Sequence, residues 1–304
     1  MVKKRIFIDG DQGTTGLDIT QRLKAFLPEI DIITLPENLR KDKKHRLSHL
    51  NDCDLAVLCL PDVAAIESVK LVENQRVKIL DCSTAHRVAR GFVYGLPEYN
   101  AKQKNLISQA MRVANPGCYA TGFILLLAPL MRAGILPDDY PYVVVGISGY
   151  SGGGKGMIEE YETTNIKGHS YGFLQNHKHL PEMTDYGLLL HPPIFIPWVG
   201  DFPRGMVIKI PLDGRVLKNI SKSLIEKIWQ DNYQNCDKII LPNDDEAIMA
   251  DKILVDSYNG RDDVALKVVG HDDGRLVLVA IYDNLGKGAS GAALQNIQLM
   301  LDLK

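Results

Sequence analysis

The 304-residue chain has no apolar run that approaches the length of a membrane span; its most apolar stretch, residues 123–131, is expected to be a buried helix. It also lacks an excess of charge. With 35 basic against 37 acidic residues the net charge is −2, which gives no electrostatic reason for a nucleic-acid or anionic-membrane partner. Cysteine is sparse: five thiols, at 53, 59, 82, 118 and 236, are odd in number, scattered, and without the paired spacing of a metal site. That pattern fits a reduced cytoplasm with at most one chemically active thiol. Behind the basic start Met1-Val2-Lys3-Lys4-Arg5, the apolar stretch reaches only Ile8 before Asp9, too short for the core of a signal peptide. Internal repeats and low-complexity linkers are missing too. What is present, 45% hydrophobic and 24% charged residues, is the balance of a soluble globular protein with room for one large or two ordinary domains.

The first hundred residues alternate strand-like and helix-like patterns. Strands are expected at 6–8, 31–35, 55–60 and 77–81, with helices at 14–27 and 62–74. Continuous apolar strands separated by helices imply a doubly wound parallel sheet of the α/β class. After residue 140 the rhythm changes. Strands at roughly 142–148, 206–212, 264–269 and 275–282 follow one another with longer irregular inserts, and a helix at about 217–232 interrupts them. Asp273-Gly274 between the last two is a two-residue hairpin signal. This predicts a second, α+β domain with a mostly antiparallel sheet; residues 288–303 are helical again.

Directly after the first strand comes Gly10-Asp11-Gln12-Gly13-Thr14-Thr15-Gly16, leading into a helix. Glycines permit the tight turn and the close approach of a pyrophosphate to helix N–H groups. The spacing is one residue wider than the commonest dinucleotide fingerprint. The bland alternative is a glycine-rich turn without a ligand, and the strand–loop–helix context favours the cofactor. The second strand ends without the acidic residue that usually binds an NAD ribose, although Glu37 follows soon after. Then comes Arg40-Lys41-Asp42-Lys43-Lys44, a cluster suited to the 2′-phosphate of NADP, though such clusters are more often solvated surface.

Asn115-Pro116-Gly117-Cys118-Tyr119-Ala120-Thr121 precedes an apolar helix of about 119–131. A thiol at a helix start feels positive partial charge, which favours the thiolate; most free cysteines, by contrast, are small buried hydrophobes. An acyl-transfer thiol needs an acid/base partner, and the richest histidine stretch is His177-Lys178-His179-Leu180-Pro181-Glu182. If extended, it points His177 and His179 to one side, so either imidazole could face the thiol. Ser83-Thr84-Ala85-His86-Arg87 follows the fourth strand, at the sheet edge where ligands of open α/β sheets bind, and Arg87 suits a phosphate. Two further glycine-rich segments, Ser148–Gly156 and Asn284–Gly291, both leave strands, which favours close approach to a ligand over plain connection.

In their order and spacing, the Gly10–Gly16 loop, Ser83–Arg87, Tyr94-Gly95-Leu96-Pro97-Glu98, Asn115–Thr121, Ser148–Gly154, His177–Glu182 and Leu285–Ala292 resemble the N-acetyl-gamma-glutamyl-phosphate reductase family, in its shorter type, of arginine biosynthesis. The resemblance implies a Rossmann domain over 1–117, completed by the C-terminal helix at 286–304, and an inserted catalytic and oligomerisation domain over 118–285. It implies NADP(H), a cysteine nucleophile matching Cys118, and a histidine best matched by His179. The expected substrate contacts are Arg87, Ser83, Asn115 and Glu98. The expected cofactor contacts are Gly10, Gly13, Thr14, Thr15, Gly16, Arg40, Ser148, Gly149, Asn284 and Gly286, with no metal. Partners are then a small acyl phosphate or semialdehyde and phosphate, with a homo-oligomer, dimer or tetramer. His86 departs from the family, where an aromatic residue is more usual, and Arg204 falls in a loop that aligns poorly. The rivals are aspartate-semialdehyde dehydrogenase, the aminoadipyl-phosphate reductase of lysine synthesis and, from another class, a non-catalytic NADP-binding regulator.

Overall fold

The computed structural model describes residues 3–218, 220–242, 252–271 and 274–303. The chain divides into two compact units, one of residues 1–97, 102–116 and 289–304, the other of 98–101 and 117–288. Among the described residues, no helix is long and apolar enough to cross a membrane.

The first unit opens with β1 (Arg5–Asp9), α1 (Thr14–Phe26), β2 (Asp31–Ile33), α2 (Lys43–Asn51), β3 (Leu55–Leu58), α3 (Asp62–Leu71) and β4 (Lys78–Asp81). It continues with β5 (Val93–Tyr94), α4 (Gln103–Gln109) and β6 (Arg112–Ala114). The six strands form one sheet in the order β2-β1-β3-β4-β6-β5, every pair parallel. Alternate strand residues feed opposite faces. Ile6, Ile8, Leu55, Val57 and Leu80 pack with Ile19 and Leu23 of α1 and Ile107 of α4, whereas Phe7, Ala56, Leu58 and Ile79 pack with Leu50 of α2 and Val69 of α3. Parallel strands covered on both faces are the expected doubly wound sheet. β2 stops at Ile33 rather than Leu35 because it is an edge strand, paired to β1 only as far as Phe7.

The second unit begins with α5 (Cys118–Arg132), buried on every side from Tyr119 to Leu130. Pro129 lies inside it and has no N–H for the Leu125 carbonyl; Tyr233 Oη donates to that carbonyl instead, at 2.6 Å. Then come β7 (Val143–Gly149), α6 (Gly154–Thr163), β8 (Gly168–Ser170), α7 (Leu180–Gly187), β9 (Ile194–Gly200), β10 (Met206–Asp213), α8 (Lys222–Tyr233), β11 (Ile239–Ile240), β12 (Val264–Gly270) and β13 (Arg275–Tyr282). The seven strands run β11-β12-β13-β10-β7-β9-β8, antiparallel except for β11–β12 and β7–β9. This is the expected α+β architecture. The expected irregular insert between β7 and β10 is a correction, since it holds two helices and two strands, including the seven-residue β9. Pro197 inside β9 disguises that strand from sequence patterning. α8 starts at Lys222, not near 217, because Ser221 Oγ caps it by accepting the Leu224 N–H. β12 and β13 form a hairpin in which Gly274 has φ +89°; Asp273 of the expected turn lies outside the described residues. The last helix, α9 (Gly291–Leu301), returns to the first unit, where Ala293 and Ile297 join the face covered by α1 and α4.

Candidate active site

In the first unit the loop between β1 and α1 is shaped by its glycines. Gly10 has φ +94°, and a Cβ there would lie 2.3 Å from the Cys59 carbonyl oxygen; one at Gly16 would lie 2.4 Å from the Gly10 oxygen. Gly13 is different: its Cβ would meet nothing closer than 3.6 Å, so packing does not demand glycine there. Gly13 is the N-cap of α1, which has neither a side-chain cap nor an acidic residue in its first turn. Next to it, Thr14 Oγ1 is buried with no hydrogen-bond partner among the described residues. Open backbone donors, an unneeded missing Cβ and an unmatched hydroxyl together fit the pyrophosphate of a dinucleotide. Thr15 follows in the same first turn.

The basic cluster lies between β2 and α2. Arg40 Nη2 pairs with the exposed Glu37 at 3.1 Å, while Lys41, Lys43 and Lys44 are exposed. Sequence reasoning missed Arg46. Its guanidinium is held by the buried Asp9 carboxylate at 2.9 Å, directly before Gly10. Its position, outside the charge run, gives no sequence signal.

At the carboxyl end of β4 the buried Asp81 organises the Ser83–Arg87 segment. Its oxygens accept from Ser83 N–H (2.9 Å), Ser83 Oγ (2.8 Å) and His86 Nδ1 (2.6 Å). The His86 ring stacks on Phe92 with centroids 4.2 Å apart. Arg87, 8% exposed, donates from Nε to the Asn115 carbonyl at 3.0 Å. Asn115 is braced in turn, donating to the Ala289 carbonyl and accepting from Asn296 Nδ2.

In the second unit Cys118 is the first residue of α5. Gly117, the N-cap, donates its N–H to Glu182 Oε2 at 3.0 Å, and the Cys118 carbonyl accepts from Tyr282 Oη at 2.6 Å. Glu182 is 1% exposed and sits in the first turn of α7, whose N-cap is His179. The thiol helix and the histidine helix are therefore tied head to head. Glu182 is a further residue of the candidate site that sequence reasoning left unassigned; Pro-Glu after His179 marks a helix start but not a contact 65 residues away.

His179 has αR backbone angles, so the His177–His179 segment is not extended. The two rings still meet, edge to face at 4.7 Å, and both pack on Tyr119 at 5.9 Å. Their surroundings differ. Nδ1 of His177 accepts the His179 backbone N–H at 3.1 Å, which keeps the proton of a neutral ring on Nε2, while His179 is 4% exposed. Burial raises the Tyr119 phenol well above its usual range, so it stays neutral beside them.

The two glycine-rich segments meet at Gly205. Its N–H donates to Asn284 Oδ1 and its carbonyl accepts from the Gly149 N–H, while Asn284 Nδ2 donates to Ser151 Oγ. Packing accounts for glycines in each of them. A Cβ at Gly149 would lie 2.7 Å from Phe202 and Pro203 backbone, and one at Gly286 would lie 2.1 Å from the Arg261 carbonyl. Ser148 Oγ donates to the Gly149 carbonyl, Arg204 faces Asp283 at 3.4 Å, and the Glu98 carboxylate is engaged by Lys287 at 2.7 Å. Among the described residues no group of three or more His, Cys, Asp or Glu could hold a metal ion.

Residues 20–107 match the family model described as semialdehyde dehydrogenase, NAD binding domain, and residues 118–284 that described as semialdehyde dehydrogenase, dimerisation domain. The N-acetyl-gamma-glutamyl-phosphate reductase 2 of Nostoc sp. is 44% identical over 100% of this chain and 98% of its own. That of Pseudomonas putida is 42% identical over 97% and 96%. Among solved structures, aspartate semialdehyde dehydrogenase II of Vibrio cholerae, complexed with ASA, superposes with a TM-score of 0.74 over 99% of each chain at 15% identity, a likeness of fold. Matched in both its units and along its whole length, this chain belongs to the semialdehyde dehydrogenases and, within them, to the N-acetyl-gamma-glutamyl-phosphate reductase family.

Proposed function

We propose that the protein reduces N-acetyl-gamma-glutamyl phosphate to N-acetylglutamate semialdehyde and phosphate, with NADPH as reductant and Cys118 as covalent nucleophile. The observation that carries this reading is the seating of Cys118. It heads a buried helix whose N-cap is held by Glu182, and the Tyr119 ring beside it packs against both imidazoles. The Cys118 sulfur attacks the acyl carbon, the carbon–oxygen bond to phosphate breaks, and an acyl thioester forms. Bound NADP(H) supplies the hydride that reduces this thioester. His179 gives a proton to the resulting oxygen and takes it back as the carbon–sulfur bond breaks, releasing the semialdehyde and the thiolate. His179 is preferred to His177 because a His177 Nδ1 occupied by a backbone N–H ties that ring to a helix start.

Arg87 is the proposed anion contact, with Ser83 and Asn115 framing it; its Nε donates to the Asn115 carbonyl, and the planar fork of a guanidinium suits phosphate. The Gly10–Gly16 loop takes the pyrophosphate, and the Arg40–Lys44 run takes the 2′-phosphate. Five free cysteines fit a reduced cytoplasm as the place of action. A homo-oligomer, dimer or tetramer, fits the match of 118–284 to a dimerisation domain.

The test is NADP+ reduction with N-acetylglutamate semialdehyde plus phosphate, run beside aspartate semialdehyde. The expected result is a kcat/KM at least about a hundredfold higher for the acetylated substrate, the scale on which polar substrate groups discriminate. Turnover of aspartate semialdehyde alone would overturn the substrate assignment.

A further inference from the structure

Behind the thiol lies an ion pair that the chemistry above does not use. Glu98 Oε2 and Lys287 Nζ are 2.7 Å apart, and each side chain is 1% exposed. Burial pushes the Lys287 ammonium down, and Glu98 pulls it back up. Dry pairs of this kind are rarely more stabilising than apolar side chains of the same size, so stability is a weak reason for having one. Position is a stronger reason.

Lys287 stands between Gly286 and Gly288 and carries the only side chain of the three. Gly286 lies against the Arg261 carbonyl. Gly288 lies against the nucleophile: a Cβ built there would be 3.1 Å from the Cys118 Cβ. The wall beside the thiol is therefore bare backbone with a single side-chain handle. Upstream the segment is pinned at Asp283, whose oxygens accept from Leu285 N–H at 2.8 Å and Gly260 N–H at 2.7 Å, and at Asn284 by Gly205. Beyond those anchors the Gly288 N–H donates to the Asp283 carbonyl at 3.1 Å, and the side chain that fixes the segment is Lys287, held by Glu98. Glu98 is fixed in turn through Tyr99, whose carbonyl accepts from Arg132 at 2.7 Å and whose ring lies edge-on to Tyr186 at 5.5 Å.

We propose that Glu98 and Lys287 are positioning residues that hold Gly288 against Cys118 and so restrict the thiol to the orientation used in attack. Glu98 then acts through Lys287 and not by touching substrate. The inference rests on Cys118 being the nucleophile.

Its test is the double variant Glu98→Met/Lys287→Met, which removes both charges together and leaves none buried alone. In the folded double variant, iodoacetamide should alkylate Cys118 at least about threefold faster, because the wall has loosened, while kcat falls about tenfold and KM stays within about twofold. Alkylation needs no substrate, so this arm reads the pair even if the parent enzyme proves to use a different semialdehyde. Should the double variant not fold, Glu98→Gln, which keeps an acceptor for Lys287, should show the same pair of changes in smaller measure. Unchanged alkylation with unchanged kcat in either folded variant, or slower alkylation, would overturn the proposal.

Discussion

Two of the other thiols are held back from reaction at neutral pH. Burial pushes Cys53 up to about 11, and a hydrogen bond with Cys59 together with burial raises Cys82 well above the usual thiol range. Cys118 instead heads α5, where helix N–H groups favour negative charge on sulfur. One equivalent of iodoacetamide near pH 7.5 should therefore label Cys118, read by peptide mass; label on Cys53 or Cys82 would contradict this. Cys118→Ser is nearly isosteric and should keep the fold and NADP+ binding while losing at least about a thousandfold in kcat. Glu182 allows a separate reading of structure. Glu182→Ala leaves the buried Gly117 N–H without its acceptor and should destabilise the protein by roughly 1–3 kcal/mol in denaturant titration. Glu182→Gln keeps an acceptor oxygen and should recover most of that loss. Equal stability of the Ala variant and the parent would show that the contact contributes nothing. Cys118 and the histidine pair were legible as candidates because each stands beside a local signal, a Pro-Gly break or a Pro-Glu helix start. Glu182 and Lys287 were not, since their partners are 65 and 189 residues away.

Among the elements, the β/α alternation up to β4 was readable because strands buried on both faces are short apolar runs between helical spacings. β5 and β6, two and three residues long, are too short to leave such a run, and β9 is masked by Pro197. The loop between β1 and α1 was recognised as a unit, but its glycines do different things, and that separates fold from ligand. Gly10→Ala and Gly16→Ala each drive a methyl to within 2.4 Å of a carbonyl oxygen and should destabilise the first unit. Gly13→Ala has room and should leave stability within about 0.5 kcal/mol of the parent. Yet it places a methyl where a pyrophosphate would approach the head of α1, so NADP+ affinity should fall about tenfold or more by fluorescence titration. If Gly13→Ala binds NADP+ as tightly as the parent, the loop is only a turn.

At the scale of the whole chain the proposed site residues are divided between units. The Gly10–Gly16 loop, the Arg40–Lys44 run and Arg87 belong to the first, and Cys118, His179 and Glu182 to the second. The division makes the cofactor preference testable apart from the nucleophile. Arg40 spends its guanidinium on an exposed Glu37, a pair worth little in water and easily given up for a phosphate, and Lys41 beside it is exposed. Hydrogen bonds to a charged group contribute roughly 1.5–3 kcal/mol, so Arg40→Ala with Lys41→Ala should weaken NADP+ about tenfold to a hundredfold. NAD+, with a hydroxyl at that place, should lose threefold at most, on the order of what a surface change does. Stability should hardly change, since both side chains lie at the surface and neither fills the core. The alkylation rate of Cys118 in the unliganded protein should also stay as it is, because Cys118 belongs to the other unit. Equal losses for NADP+ and NAD+, or a parent enzyme that prefers NAD+, would remove the 2′-phosphate from this cluster and turn attention to Arg46, whose guanidinium is already fixed by the buried Asp9.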